Sequence, residues 1–369
     1  MSFLSCTPSV FVIGQEYEIL LNAESTGIFI VNVDGEMYYE ENSGVLSSEK
    51  KFAKIRIPQS KLNAAKEYEV IFRETIERKA YFSKMKPSET QKFSFRPLEK
   101  EEDIHIYHVA DVHYRFDLAL KTATYFKDDL DVLVVNGDIG EVETEENYFM
   151  VCKFVGDVSK GEVPVIFVRG NHDTRGKLAE RFVDYFPAQG KNTYFQFSIG
   201  CLGGVALDCG EDKWDNHIEY GGEGGEVYGG VNVFEVYRRQ QLQFLKDLTI
   251  PTAKFTFAVT HICPVMTTYH PGDCFDIERD VYAAWNTELE RLGTQFMLCG
   301  HYHKAFIIPS DSPMNTLPHA YPVIVGSECS QTEFIGAAIT LKTDAVEVLL
   351  TNTQHEVVGT HRLPLGTNK

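Results

Sequence analysis

The sequence contains no long hydrophobic run and no basic segment near its start. Its longest apolar stretches are strand-sized, such as Val132–Val135, whereas a membrane-spanning helix needs about 18 to 20 apolar residues in a row. The first basic residue is Lys50, so the positively charged start of a secretory signal is missing. We therefore expect neither an integral membrane protein nor a secreted one.

Basic residues are also scarce. The 369 residues include 35 Lys and Arg against 53 Asp and Glu, a formal net charge of -18 at pH 7. A surface of that sign repels polyanions, so we expect no long nucleic acid and no membrane surface as a partner. Residues 1–103 carry 14 basic and 17 acidic side chains, a net charge of only -3. Most of the acid excess therefore belongs to the remainder of the chain.

Closely spaced cysteines are missing as well. The eight cysteines are scattered and form no C-x-x-C pair, which disfavours a disulfide framework and a zinc knuckle. We expect free, mostly buried thiols in a reducing compartment, and hence a cytoplasmic protein.

The first hundred residues have the pattern of a β-structure. Short stretches of β-branched and aromatic residues alternate with polar or glycine-containing turns, which is typical of a small antiparallel sandwich. We predict that residues 1–100 form a β-sandwich domain, resembling immunoglobulin or fibronectin domains, that acts as a spacer or recognition module. A protein partner of this domain is an open alternative. The predicted strands are Phe11–Ile13, Tyr17–Leu21, Ile28–Val33, Lys54–Ile57, Tyr68–Phe72 and Phe93–Phe95.

A charged run, Pro97–Asp103, follows the predicted β-sandwich and marks a change in the sequence pattern. After it, apolar strands alternate with amphipathic helical stretches, such as Gly176–Phe186, Phe234–Leu248 and Asp280–Leu292. Such alternation predicts a layered α/β domain with buried sheets over residues 101–369.

Five polar motifs follow the strands of this second part. In layered α/β folds the site lies beyond the carboxyl ends of the strands, so we expect the motifs to meet there. In D-x-H and H-x-H, a step of two residues along an extended chain returns to the same side. The motifs are Asp111-Val112-His113, Gly137-Asp138, Gly170-Asn171-His172-Asp173, His261 and Gly300-His301-Tyr302-His303.

These motifs offer carboxylate, amide and imidazole donors but no thiolate, which favours Mn, Fe or Zn in a catalytic site over a structural Cys-zinc site. Each motif alone has a simpler interpretation: Asp138 could cap a helix, and His261 could be a core histidine. Together they predict a binuclear centre. The predicted ligands are Asp111, His113, Asp138, Asn171, His261, His301 and His303.

As a set and in this order, the motifs resemble those of the calcineurin-like metallophosphoesterase superfamily, over roughly residues 104–303. The resemblance implies a four-layer α-β-β-α sandwich that holds two divalent or trivalent metal ions, with Asp138 bridging them. It implies that one ion is bound by Asp111, His113, Asp138 and His303. It implies that the other ion is bound by Asp138, Asn171, His261 and His301.

The resemblance also implies a metal-dependent phosphatase or phosphodiesterase that acts on a small or nucleotide-like ester through a metal-bridging hydroxide. His172 would donate a proton to the leaving oxygen, and Asp173 would orient its ring. Arg169 and Arg115 adjoin the motifs and could either clamp phosphate or pair with nearby acids. A non-catalytic scaffold that keeps the fold is the alternative function.

Two departures separate the sequence from known subfamilies. Protein Ser/Thr phosphatases carry an arginine in G-D-x-x-D-R-G, which is absent after Asp138. Purple acid phosphatases carry an iron-binding tyrosine where Glu141 stands, although their layout also places a β-sandwich before the catalytic domain. The insert Cys209–Gly230 contains Trp214 and Tyr220. An aromatic side chain there could stack on a base or sugar of the substrate, or could simply pack within the loop.

Overall fold

A computed structural model gives the fold, and it describes residues 2–140, 144–219, 226–227, 231–265, 275–313 and 315–365. Glu141 and Tyr220 lie outside the described residues, as does most of the glycine-rich segment 220–230.

The N-terminal region is built almost entirely of strands. β2 contains two of the predicted strands, and the predicted turn between them is a register shift between Asn22 and Gly27 within one long strand. The turn prediction was wrong because the strand continues through these residues, and only its pairing with β6 changes register. The elements are β1 (Ser9–Ile13), β2 (Glu16–Val33), β3 (Glu36–Tyr39), β4 (Glu41–Asn42), β5 (Val45–Leu46), β6 (Lys50–Pro58), α1 (Gln59–Ala65), β7 (Glu67–Glu77), β8 (Lys84–Met85) and β9 (Glu89–Ser94).

Strands and helices alternate in the first half of the following region. The predicted helix Gly176–Phe186 is instead a 3-10 turn, Ala179–Arg181, followed by a single α-helical turn. The elements are β10 (Ile104–Val109), α2 (Phe116–Ala123), β11 (Val132–Asn136), α3 (Glu145–Ser159), β12 (Pro164–Val168) and α4 (Phe182–Tyr185).

The remainder of the chain forms a second sheet, and its last three strands join the first sheet. The elements are β13 (Phe195–Ile199), β14 (Leu202–Leu207), β15 (Ile218–Glu219), β16 (Glu226–Val227), α5 (Phe234–Asp247), β17 (Phe255–Thr260), α6 (Arg279–Arg291), β18 (Phe296–Cys299), β19 (Phe306–Ile308), β20 (Val323–Val325), β21 (Glu328–Cys329), β22 (Phe334–Lys342), β23 (Ala345–Thr351) and β24 (Val357–Pro364).

The first sheet runs through both parts of the chain. Its strand order is β24-β23-β22-β10-β11-β12-β1-β2-β7-β8, with β3, β6, β9 and β21 paired beside this path. β1 joins β12 in parallel, so N-terminal strands extend the sheet that contains β10–β12. The division into domains 1–100 and 101–369 stays a prediction. The second sheet has the order β13-β14-β17-β18-β20-β19.

The two sheets pack face to face, and helices cover their outer faces. Because side chains alternate along a strand, Val134 of β11 and Phe257 of β17 share the apolar core between the sheets. Val135 of β11 packs with residues of α2 and α3, whereas Ala258 of β17 packs with Trp285 of α6. This arrangement confirms the predicted four-layer α-β-β-α fold and the all-β region before it. Within the described ranges, no helix has both the length and the apolar character needed to span a bilayer.

Candidate metal centre

The predicted motifs meet at one edge of the two sheets. β10, β11 and β12 are parallel neighbours, so their carboxyl ends lie side by side, and β17 and β18 end at the facing edge. Backbone hydrogen bonds join the loops that follow. The Asp111 N–H donates to the Gly137 carbonyl and the His113 N–H donates to the Asp138 carbonyl, both at 3.0 Å.

The backbone at this edge is left-handed rather than extended. The expectation that D-x-H and H-x-H bring both side chains together through an extended chain was therefore wrong, although the side chains do converge. Positive φ is costly for residues with a side chain and persists where the surroundings fix it, often at functional sites. The φ angles are 54° at Asp111, 45° at His113, 54° at Asp138, 74° at His301 and 53° at His303.

Two motif glycines allow the loops to approach each other. Gly137 has a φ of 77°, and a Cβ there would lie 2.5 Å from the Cα of Gly170. A Cβ at Gly170 would lie 2.2 Å from Oδ1 of Asp138. Any side chain at either position would separate the loops, which explains why glycine precedes both Asp138 and Asn171.

Six of the seven predicted ligands form two adjoining groups of donor atoms. Asp138 belongs to both groups, and the donor atoms within each lie within 4.8 Å of one another. Asn171 adjoins the second group, with its side-chain amide 3.1 Å from Nδ1 of His301. The structure therefore brings all seven together, and their individual roles as ligands stay predictions. The first group is Asp111, His113, Asp138 and His303; the second is Asp138, His261 and His301.

Asp138 is the carboxylate on which the groups converge. Its Oδ1 accepts a hydrogen bond from the backbone N–H of His172 at 2.8 Å. Its Oδ2 faces Nε2 of His261 at 3.1 Å and lies 3.9 Å from Nε2 of His113. One oxygen is thus held by the protein backbone while the other points into the centre.

The chemistry of these donors fits bound cations. Nδ1 of His261 lies 2.6 Å from the carbonyl oxygen of Asn136, which can only accept, so Nδ1 carries the proton. Nε2 faces Oδ2 of Asp138 in a fully buried position. Either a second proton on the ring or a metal ion must lie between these two atoms, because both would otherwise be acceptors. Nε2 of His113 and Nε2 of His303 likewise lie 3.0 Å apart. A metal ion between such atoms would satisfy their lone pairs.

Burial and neighbouring charges shift the pKa values of the acids and imidazoles of the centre. Burial, with repulsion from Asp138, raises the pKa of Asp111 to about 7. Although burial lowers the pKa of His261, attraction to the Asp138 and Asp111 carboxylates raises it to about 10. Protons and metal ions therefore compete for these atoms.

Asp173 connects two of the loops. Its Oδ2 accepts hydrogen bonds from the backbone N–H groups of Asp138 and Gly170, both at 2.9 Å. The carboxylate is buried, so it holds the Gly137-Asp138 turn against the loop that carries Asn171 and His172. Its predicted action on the His172 ring stays a prediction.

His172 lies at the mouth of the centre with 27% of its side chain exposed. Its Nε2 is 3.9 Å from Oδ2 of Asp138, and its ring meets that of His113 edge-on with the centroids 4.9 Å apart. The ring is therefore close enough to the donor groups to contact a bound phosphate group, which is what the predicted proton donor requires.

Arg175 is a residue of the site that sequence reasoning missed. Its Nη1 lies 3.3 Å from Nε2 and 3.4 Å from Nδ1 of His172. The guanidinium is fixed by the buried carboxylate of Glu211, which accepts from Nε at 2.6 Å and from Nη2 at 2.8 Å. The available signal was its position two residues after Asp173, but its partner Glu211 is 36 residues away in sequence.

The two arginines proposed from the sequence have different surroundings. Arg169 pairs with Asp208 at 2.7 Å and lies over the ring of Phe182, so the ion-pair alternative is the one observed. Arg115 directly precedes α2, two residues after His113. Arg115 is the one that remains a candidate for contacting phosphate.

The insert after β14 begins next to the centre. Oδ2 of Asp212 is 3.9 Å from Nε2 of His301. Asp215 accepts hydrogen bonds from the backbone N–H groups of Phe234 and Glu235, at 2.9 and 3.1 Å, and so caps the first turn of α5. Trp214 packs against the apolar cluster between the second sheet and its helices.

Comparison with known proteins gives a consistent result. The model of the calcineurin-like phosphoesterase family matches residues 104–305, whereas a search of curated protein sequences finds no match. A purple acid phosphatase from yellow lupin (Lupinus luteus) seeds has a similar structure, with 10% identity and a TM-score of 0.60 over 97% of this chain and 74% of that one. PhoD is similar at 10% identity and a TM-score of 0.54, over 97% and 88%. The family match covers more than half of the chain, which therefore belongs to the calcineurin-like phosphoesterases and is a phosphoric ester hydrolase.

Proposed function

We propose that the centre binds two metal ions that share Asp138, and that the protein uses them to hydrolyse a small or nucleotide-like phosphate ester. The observation that carries the proposal is the position of Asp138, whose carboxylate belongs to both groups of donor atoms. The donor set of carboxylate, amide and imidazole favours Mn, Fe or Zn.

Two bound ions would supply positive charge for phosphate oxygens and lower the pKa of a water molecule. The residues of the chain hold the ligands in place and supply the proton for the leaving group. Asp111 and Asp138 hold negative charge in a buried position, and the backbone N–H groups of His301 and His172 keep both carboxylates in place. His172 protonates the leaving oxygen, since its ring stands at the mouth of the centre. Arg175, which is held by Glu211, contacts the His172 ring and limits its movement.

The burial of the centre supports a small substrate. Asp111, Asp138, Asn171 and His261 are buried, whereas 48% of the His303 side chain is exposed. A phosphate group can therefore approach past His303 and His172. Bound cations would reverse the local sign of charge at this opening, while the acidic surface still disfavours long polyanions.

The scaffold alternative predicts that the centre has lost ligands or the acid histidine. Six of the seven predicted ligands form the two groups, and Asn171 and His172 lie beside them. We also propose a cytoplasmic location, which is supported by the free thiols of Cys6, Cys152, Cys201, Cys209, Cys299 and Cys329.

The proposal is tested by metal analysis together with turnover of an aryl phosphate and a bis-aryl phosphate by the purified chain. We expect two tightly bound ions per chain and hydrolysis of at least one of the two esters. Less than one ion per chain, with no turnover of either ester in added Mn²⁺, would contradict it. The ratio of the two rates decides between phosphatase and phosphodiesterase.

A further inference from the structure

The hairpin of β7 and β8 presents an exposed pair of aromatic side chains. Residues 78–83 connect the two strands, and 88% of Tyr81 and 75% of Phe82 are exposed. Among the described residues these are the two most exposed aromatic side chains, and Ile76 beside them is 49% exposed. The two rings contact each other edge-on, with their centroids 4.6 Å apart. We call residues 76–86 the β7–β8 tip.

The charge of this tip is opposite to that of the chain. Residues 76–86 contain the basic residues Arg78, Lys79, Lys84 and Lys86 and one acid, Glu77, a net charge of +3, whereas the whole chain has -18. Ion pairs of Lys79 with Glu77 (3.4 Å) and of Lys86 with Glu74 (2.8 Å) are exposed to solvent. At physiological ionic strength exposed charges are screened beyond about 8 Å. A partner that touches the tip therefore meets a basic, aromatic surface in spite of the acidic chain.

The shape of the tip selects the kind of partner. A stable protein interface buries about 800 Å² on each side, which needs a broad complementary surface rather than a single hairpin loop. A membrane interface accepts protruding aromatic rings without a matching surface, and Tyr and Phe favour the headgroup level. Basic residues beside such rings are attracted to anionic headgroups.

We propose that the β7–β8 tip docks the protein on an anionic phospholipid surface. Tyr81 and Phe82 enter the interfacial layer, and Arg78, Lys79 and Lys84 contact the headgroups. This proposal replaces the expectation from net charge that no membrane surface is a partner, because that expectation averaged the charge over the whole chain. It is independent of the proposed catalytic function.

The test is sedimentation of the purified full chain with vesicles of phosphatidylcholine alone or mixed with phosphatidylserine. We expect binding to the mixed vesicles only. Lys79→Gln with Lys84→Gln should weaken it about thirtyfold, because each basic residue near an anionic surface contributes about a factor of five. Tyr81→Ala with Phe82→Ala should weaken it by about tenfold or more. Turnover of a soluble aryl phosphate should be unchanged in these variants, which shows that they are folded.

Matched controls separate the tip from the rest of the surface. Val357→Ser with Val358→Ser changes an exposed apolar pair on β24, at the opposite end of the sheet order, and should bind vesicles normally. Equal binding of the wild-type chain to both vesicle types, or normal binding by the tip variants, would overturn the proposal. So would loss of binding in excess inorganic phosphate but not in sodium chloride of the same ionic strength, which would place the headgroup in the catalytic centre. A tip-dependent dimer without vesicle binding would identify a second copy as the occupant.

Discussion

The two sheet edges that form the centre contribute different chemistry. The first sheet supplies both carboxylates and the amide, from the buried residues Asp111, Asp138 and Asn171. It also supplies one imidazole, that of His113. The second sheet supplies imidazoles, from His261, His301 and His303, and the last of these is half exposed. The first edge therefore provides the negative charge that attracts cations, and the second completes their coordination. Substitutions at the first edge should therefore reduce metal binding and ester hydrolysis more than substitutions at the second edge.

The edges are joined below the centre by Asn136, at the end of β11. Its carbonyl accepts from Nδ1 of His261 at 2.6 Å. Its side-chain amide donates to the carbonyls of Thr260 and Leu298, each at 3.2 Å. A residue of the first sheet thus fixes both the position and the tautomer of a histidine from the second, which is a common outer-sphere arrangement at metal sites.

The largest expected effect is that of Asp138→Asn. It removes the carboxylate common to both groups, so ester hydrolysis should fall by about a thousandfold or more, since metal-ion charge contributes several kcal/mol to such transition states. The control is Asp117→Asn, an exposed acid in the first turn of α2, which should keep full activity. Comparable losses in both variants would point to a general charge effect.

His172→Ala should separate chemistry from metal binding. Because a poor leaving group needs protonation, turnover of an alkyl phosphate should fall by about 10² to 10⁴-fold, while an aryl phosphate with a good leaving group should lose far less. The metal content should not change. Equal losses on both esters would contradict the role of His172 as proton donor.

Asn136→Ala tests whether the second edge depends on the first. It removes buried hydrogen bonds to Thr260 and Leu298, and should lower the free energy of unfolding by about 1 to 3 kcal/mol. The backbone carbonyl that accepts from His261 is kept, but the neighbouring Thr260 loses its hydrogen bond to the amide. Because His261 is then held less firmly, metal affinity should fall by up to about tenfold. Asn42→Ala, at an exposed position on β4, is the control for denaturation and metal titration. Unchanged metal affinity would mean that the two edges are held independently.

Arg175→Lys tests the residue that sequence reasoning missed. Lysine keeps the charge but not the planar fork that pairs with Glu211, so the His172 ring should be less well fixed. We expect turnover of alkyl phosphates to fall by about tenfold, with a smaller loss on aryl phosphates and no change in metal content. An equal loss on both esters would instead indicate that Arg175 contacts the phosphate group.

Lowering the pH should weaken metal binding. The pKa of Asp111 without bound metal is raised to about 7, so below pH 7 a proton increasingly occupies the carboxylate. Metal affinity should then decline by up to about tenfold per pH unit for each proton displaced. Titration of metal-free protein between pH 8 and pH 6 measures this slope, and an affinity that rises as the pH falls would contradict it.

The sequence predicted the fold and the grouping of the site well, because apolar strands that alternate with helices place their carboxyl ends at one edge. The left-handed turns at Asp111 and His301 could not be predicted, since these φ angles depend on contacts with other loops. Pairing of β1 with β12 joins residues about 150 positions apart, and local patterns carry no information on it. The same holds for Glu211, which fixes Arg175 from within the insert.

The central claim is that two metal ions share Asp138, and metal content per chain tests it most directly. The wild-type protein should retain two ions, and Asp138→Asn should retain fewer than one. His303→Ala removes a donor of the first group only, and should retain one. Tight retention of one ion by Asp138→Asn, or loss of both ions from His303→Ala, would contradict the sharing of Asp138 by two ions.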